Sequence, residues 1–258
     1  MKFSKYHGTG NDFILLDNRA GTLILTPKQV AHICHRRFGA GADGLMMLEL
    51  APGFDFRMVY FNADGNESSM CGNGGRCITA FARELGLIGD SANFIAIDGP
   101  HHGNINNDGT ISLQMKDVTE LNIYDTHTVT DTGSPHYIRF TADVESEDIY
   151  NEGRKVRYSQ EFAPAGINVN FVQLTEDNSL KVRTYERGVE DETLSCGTGV
   201  TAAAIAATGR TTGIFLTRIS TPGGLLSVSF TKKQALSAIN VVLTGPAVKV
   251  FDGNFEDI

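Results

Sequence analysis

The 258-residue chain has few cysteines, no cluster of positive charge and no long apolar run, and each lack removes a class of function. Four cysteines, Cys34, Cys71, Cys77 and Cys196, are too few and too scattered to staple a chain of this length, so reduced thiols are expected. Cys71 and Cys77 are not at a zinc-knuckle spacing, and the histidines form no i, i+4 ligand pair beside a Cys or Glu, so no metal is expected. With a formal net charge of -8 and its Lys and Arg dispersed, the chain offers no electrostatic surface for nucleic acid. No apolar run reaches membrane-spanning length, and the opening "MKFSKYHGTGNDF" alternates polar and apolar residues where a signal segment would be apolar. A cytoplasmic protein acting on a small molecule, without membrane or nucleic-acid partner, is the expectation. The oligomeric state stays open, a homodimer being allowed.

What is present is mostly strand. The composition, 41% hydrophobic and 20% charged, suits one large soluble domain or two of ordinary size. Short runs such as "FILLDN", "FRMVYF", "NFIAID", "TISLQM", "HYIRF", "VNFVQL", "LKVRTY", "LLSVSF", "INVVL" and "AVKVF" read as strands bounded by turn residues. "NNDGT" carries a hairpin signal, while His101 and His102 read as a surface turn. The segment 141–161 reads as a solvated loop and short helix. A helix is expected from the Thr26 N-cap through Pro27 to a terminating Gly39, with Cys34 as a core residue. A second begins after Cys71, carries Cys77, Ile78, Phe81, Ala82 and Leu85 on one stripe and stops at Gly86. A third, "VTAAAIAATG" after Cys196, is apolar nearly all round and must be enclosed by other elements.

The last two helices share a preamble. "NADGNESSMCGNGGRC" and "ERGVEDETLSCGTGVT" each run from a polar residue (Asn62, Glu186) through a glycine (Gly65, Gly188) and an acidic residue (Glu67, Glu192) to Cys-Gly-x-Gly. Two copies of one strand-helix unit are implied, with a boundary near residues 115 to 120. A thiol at a helix N-terminus meets unpaired backbone N–H groups and the positive end of the helix dipole, which favour thiolate. The N–H groups of Gly72, Asn73, Gly74 and of Gly197, Thr198, Gly199 can hold a carboxylate, since glycine lets the backbone approach a ligand. Two such ends facing one carboxylate would place a sulfur on either side of its α-carbon, the arrangement needed to invert a stereocentre with one base and one acid. Cys77, inside its helix, reads as core.

These residues resemble the diaminopimelate epimerase family. "KYHGTGNDF", "GADGL", "NADGNESSMCGNGGRC", "GSPH", "INVNF", "YERGVEDETLSCGTG" and "GPAVKVFDGNF" follow one another in that family's order over almost the whole chain. The resemblance implies an α+β fold of two pseudo-symmetric domains, each a mostly antiparallel sheet curled around a central helix, with the active site in the cleft between them. It sets the domains at 1-117, completed by a C-terminal strand about 246-258, and 118-245. It implies cofactor-independent interconversion of LL- and meso-diaminopimelate, with Cys71 and Cys196 as the acid/base pair. Asn11, Asn62, Gly72, Asn73, Gly74, His136, Asn168, Glu186, Arg187, Gly197 and Thr198 fall at its substrate-binding positions. Arg187 offers a bidentate partner for the distal carboxylate and Glu186 an acceptor for an ammonium. His136, after Ser-Pro, has the alternative of merely orienting a loop; Asn11, Asn62 and Asn168 have the alternative of capping turns or strand ends; Glu186 and Arg187 could be an exposed ion pair.

Three departures from relatives stand out: Ser134 in "GSPH" in place of an amide, an additional residue before Cys196 that should bulge outward at Glu190 or Asp191, and Gly44 where some relatives have Gln. Other readings are a proline racemase-like isomerase, a thiol redox protein switching through Cys71 and Cys196, and a non-catalytic anion binder.

Overall fold

A computed structural model describes residues 1–256; residues 257 and 258, within the segment assigned to the last strand, lie outside the described residues. The chain is mixed α+β and divides into two compact units, Met1–Leu113 with Gly245–Ile258, and Gln114–Thr244.

The first unit runs β1 (Lys2–Gly8), β2 (Asn11–Asp17), α1 (Pro27–Cys34), β3 (Gly44–Glu49), β4 (Phe56–Asn62), β5 (Glu67–Ser68), α2 (Gly72–Glu84), β6 (Ser91–Ala96), β7 (Gly99–Ile105) and β8 (Ile111–Gln114). The second runs β9 (Leu121–Ile123), β10 (Thr128–Asp131), β11 (Pro135–Phe140), α3 (Ile149–Arg157), β12 (Asn168–Leu174), β13 (Leu180–Glu186), β14 (Asp191–Thr193), α4 (Gly197–Ala207), β15 (Gly213–Thr221), β16 (Gly224–Lys232) and β17 (Ile239–Gly245). A final strand, β18 (Val248–Asn254), pairs with β1.

The pairings of the two units correspond strand for strand. In the first the order is β18-β1-β2-β3-β4-β6-β7-β8, antiparallel except for parallel β2–β3 and β4–β6. In the second it is β9-β10-β11-β12-β13-β15-β16-β17, antiparallel except for parallel β11–β12 and β13–β15. The parallel steps fall where a helix makes the crossover. Helix α2 touches β1, β2, β3 and β7, and α4 touches β10, β11, β12, β13, β15 and β16. One helix can meet strands so far apart in the order only if the sheet of that unit curls around it.

In each unit the middle strands are covered on both faces. Ile14, Leu16, Leu45 and Met47 pack with Val30, Ile33 and Cys34 of α1, while Met46, pointing the other way, lies beside Gly74 of α2. "GLMMLE" is therefore apolar without alternation, which is why it gives no alternating-strand signal. In the second unit Val169, Phe171 and Tyr185 pack with Ile149 of α3, and Gly153 lets that helix lie against the Tyr185 side chain.

Helix α1 has its expected start: Thr26 and Gln29 form a reciprocal capping box and Pro27 follows. It ends at Cys34 and not at Gly39, because the next residues turn back, with Gly41 N–H and Ala42 N–H donating to the carbonyls of Ile33 and Cys34. The thiol of Cys34 is pushed up to about 12 by burial. Helix α2 stops before Gly86, which has φ of 68°. Helix α4 is buried on nearly every side, as its uniform small apolar sequence requires. Two readings need correction. His101 and His102 lie in β7, not in a turn; His101 bonds Asp98 and tilts over Phe94, while His102 bonds Asn93 and Asn104. The charged 141–161 segment is more than a solvated loop, since Val144 and Ile149 belong to the core.

Candidate active site

Each cysteine singled out by the sequence is the N-cap of its unit's central helix, but the two caps are built differently. Cys71 has φ -104° and ψ 146°, and its Sγ accepts the Gly74 N–H at 3.2 Å. Gly74, read from the sequence as an open donor, is thus directed to the sulfur. Asn11 Oδ1 lies 3.9 Å from Sγ and also accepts from Asn73 Nδ2 at 3.3 Å. The far end of the Asn11 amide donates to Asp43 at 2.7 Å, and Asp43 is gripped by Arg36 at 2.6 Å. Asp43 thereby fixes which end of the Asn11 amide faces Cys71.

Asn62 ends β4 opposite Gly44, is exposed, and has a side-chain amide with no hydrogen bond among the described residues. Its backbone N–H bonds Asn66 and its carbonyl accepts from Gly65. Gly65 has φ of 91°, and a Cβ there would stand 2.1 Å from the Pro27 carbonyl oxygen, so the turn admits only glycine. Gly44 is equally constrained: a Cβ would lie 2.6 Å from the Tyr60 ring.

In the second unit Cys196 has φ -112° and ψ 111° and makes no side-chain capping bond. Its Sγ lies 3.5 Å from Thr198 Oγ1, which is 2.9 Å from Nε2 of the fully buried His136. Asn170 sets the histidine's tautomer. Thr184 donates to Asn170 Oδ1 at 3.0 Å, so Asn170 Nδ2 is the donor to His136 Nδ1 at 3.1 Å. The ring proton then resides on Nε2 and donates to Thr198, whose own hydroxyl proton is left to point at the sulfur. Burial drives the His136 pKa down from 6.5 to about 3, so the ring is neutral at physiological pH.

Asn168 Nδ2 donates to Ser134 Oγ at 2.8 Å and the Pro135 carbonyl at 3.0 Å, and its Oδ1 accepts the Arg187 N–H at 2.9 Å. Ser134, the hydroxyl at the departing position, is also 3.4 Å from Arg187 Nη2. The Arg187 guanidinium otherwise reaches only the Ala165 and Gly166 carbonyls and pairs with no carboxylate among the described residues. It is not the ion partner of Glu186, whose carboxylate accepts from Thr193 at 2.9 Å. The additional residue falls in the β13–β14 turn, but it does not bulge outward as expected: Glu190 has φ of 61°, and its carboxylate turns inward to Arg157 at 3.0 Å and Tyr185 at 3.2 Å. Asp191 stays in register opposite Glu186.

Within the first unit Asn11, Asn73 and Cys71 form one bonded group; within the second, His136, Thr198 and Cys196 form another, with Asn168 linked to Arg187. The sequence reading missed Asp43, Arg36, Asn170 and Arg76. Asn170 had a signal: a second polar residue two places after Asn168 in "NVNFVQL" puts both on one face of an otherwise apolar strand. Among the described residues no group of three or more His, Cys, Asp or Glu is placed to hold a metal, and no helix is long and apolar enough to cross a membrane.

Comparison with known proteins bears on the family and the fold. The diaminopimelate epimerase family profile matches residues 3–121 and 128–250. The diaminopimelate epimerase of Flavobacterium psychrophilum is 53% identical, covering 98% of this chain and 99% of the relative. That of Chlorobaculum tepidum is 40% identical over 95% and 98%. Among solved structures, a PhzF-family phenazine biosynthesis protein of Bacillus anthracis superposes with a TM-score of 0.75 at 16% identity, each chain 98% covered. A hydroxyproline epimerase of Agrobacterium vitis superposes with 0.70 at 16% identity, covering 98% of this chain and 91% of that one; these two likenesses concern the fold. By its profile match across both units and its identity to full-length relatives, the chain belongs to the diaminopimelate epimerase family.

Proposed function

We propose that the chain epimerises LL-2,6-diaminopimelate to meso-diaminopimelate without a cofactor, in the cytoplasm, as a step toward lysine and peptidoglycan precursors. The reading is supported above all by the repeated construction: each unit encloses a helix and puts a cysteine at its N-cap, in a chain 53% identical to a diaminopimelate epimerase. In this reading Cys71 and Cys196 are the acid/base pair. One sulfur, as thiolate, takes the α-proton and becomes a thiol; the other gives its proton to the opposite face of the carbanion and becomes the thiolate. Backbone N–H groups of Asn73, Gly197 and Thr198, with the helix dipoles, stabilise the charge that develops on the substrate carboxylate. Arg187, lacking a carboxylate of its own, suits the distal carboxylate, and Glu186 and Asn62 suit the distal ammonium.

Incubation with LL-diaminopimelate in deuterium oxide, followed by NMR at the α-proton, tests the reading. Deuterium should enter as the meso isomer forms, and proline should be inert. Cys71→Ala and Cys196→Ala should each lower turnover by about 10³-fold or more. Inversion at an ordinary rate in either variant rules out the two-thiol assignment.

A further inference from the structure

Arg76 is the largest side chain completely hidden from solvent, yet no carboxylate among the described residues pairs with it. It lies early in α2, where the helix dipole disfavours a cation. All its bonds go to neutral oxygens: Gly72 O at 3.0 Å, Asn73 Oδ1 at 2.9 Å, Pro246 O at 3.2 Å and Thr9 Oγ1 at 3.4 Å. A buried cation without a counter-charge is costly, and a negative charge forming beside it would recover part of that cost. Its guanidinium bonds the two residues that directly follow Cys71, and the thiols that share this stretch of helix with it are Cys71 and Cys77. Cys77 is completely buried, and burial pushes its thiol well above the usual range, so it stays neutral. Two carboxylates bonded close to the helix end are engaged elsewhere: Asp43 by Asn11 and Arg36, Asp98 by the Met70 N–H and His101.

The other unit supplies a control within the same chain. Counting from each cysteine, Arg76 corresponds to Thr201, whose hydroxyl bonds Gly197 O at 2.9 Å just as Arg76 bonds Gly72 O. Position and hydrogen bond are repeated; the charge is not. We propose that Arg76 is a positioning residue whose full charge makes Cys71 the resting thiolate, outweighing the single neutral O–H that Thr198 turns toward Cys196 and leaving Cys196 as the resting thiol. Arg76 also binds Asn73 Oδ1 and so turns Asn73 Nδ2 onto Asn11 Oδ1, which engages with a hydrogen bond the amide oxygen that otherwise faces the Cys71 sulfur and opposes its charge.

This inference rests on the reading of Cys71 and Cys196 as the acid/base pair, and its test is independent of turnover. The enzyme alone is alkylated with iodoacetamide across the neutral pH range, and the modification of each cysteine is followed by peptide mass mapping. The inflection of each profile is read in place of its rate, because Cys71 is the more exposed of the two. Cys71 should inflect at least about one pH unit below Cys196. Arg76→Met should raise the Cys71 inflection by about one unit, an approximately tenfold loss of reactivity below it, and leave Cys196 unmoved. Arg76→Lys, which keeps the charge, should keep the low inflection. Folding of each variant is checked by circular dichroism; if Arg76→Met does not fold, the order of the two inflections in the unaltered enzyme decides. Cys196 inflecting at or below Cys71, or a folded Arg76→Met with an unmoved Cys71 profile and only a raised KM, overturns the proposal. Absence of deuterium exchange would instead sink the epimerase reading.

Discussion

The two cysteine-bearing helix ends share a backbone and differ in which element supplies polarity. In the first unit the sheet beneath the helix end is largely apolar: Phe13, Met46 and Tyr60 face α2 across β2, β3 and β4, with Phe13 and Tyr60 in edge contact at 6.0 Å. In the second, the register puts His136, Asn170 and Thr184 at the corresponding places on β11, β12 and β13. The helices show the reverse pattern, with the cation Arg76 in α2 and Thr201 in α4. One unit thus governs its sulfur from the helix with a full charge, the other from the sheet with a chain of neutral hydrogen bonds. Duplicated folds can hold two groups in matched positions while giving them unlike proton affinities, which a reaction needing an acid and a base at once demands.

Removing the polar network should have the largest effect on stability. Asn170→Ala strips the partners from His136 Nδ1, Thr184 and the Tyr137 carbonyl, all in a water-excluded place. A loss of about 3 kcal/mol in urea unfolding is expected, together with slower turnover. Met46→Ala, the equivalent change in the first unit, removes packing and leaves no polar group unpaired, so its cost should come with an unaltered pH profile. Equal changes in pH profile for the two variants would erase the distinction.

His136 makes the same comparison titratable. The unfolded chain takes up a proton near pH 6.5 whereas the buried ring resists protonation down to about 3. Between these values the unfolded state binds more protons, so stability falls as pH is lowered, by about 1.4 kcal/mol per pH unit from this group. At about pH 5 the deficit should be near 2 kcal/mol, and His136→Gln should flatten the curve in that window. A slope that survives the substitution would assign the acid sensitivity to other groups.

Glycines at matched positions give a smaller contrast. A Cβ at Gly199 would stand 2.4 Å from Asn170 Oδ1, a side chain locked by its bonds. A Cβ at Gly74 would meet Cys71 Sγ and Met46 Sδ at 3.3 Å and Met58 Cε at 3.4 Å, of which the methionines can give way. Gly199→Ala should therefore cost about 1–2 kcal/mol more than Gly74→Ala in thermal unfolding.

Much of this was legible in the sequence because local chemistry decides it. Thr26-Pro27 starts α1, Gly86 stops α2, and alternation marks β11 and β16. The duplicated Cys-Gly-x-Gly identified both helix ends. What escaped depends on partners distant in the chain. The strand β3 escaped because both its faces are covered, and α1 was overrun because its end is set by a chain reversal. Asp43 and Arg36 acquire their role only when β2 and β3 lie side by side, bringing Asn11 within reach. Arg76 escaped as well, because its meaning appears only once its burial and its neutral partners are known.

The smallest contrast lies in the caps themselves. The Cys71 sulfur accepts the Gly74 N–H, while that of Cys196 makes no such bond and lies toward Thr198. Deleting an N-cap acceptor costs a helix about 1 kcal/mol, so Cys71→Ala should be destabilised by roughly that amount and Cys196→Ala by less. A thiolate accepts more strongly than a thiol, so the gap should widen as pH rises through the Cys71 inflection. Urea unfolding of both variants at two pH values on either side of that inflection measures it. A gap of constant size would mean that the sulfur capping α2 does not change charge across that range, and the electrostatic half of the contrast between the two helix ends would fall.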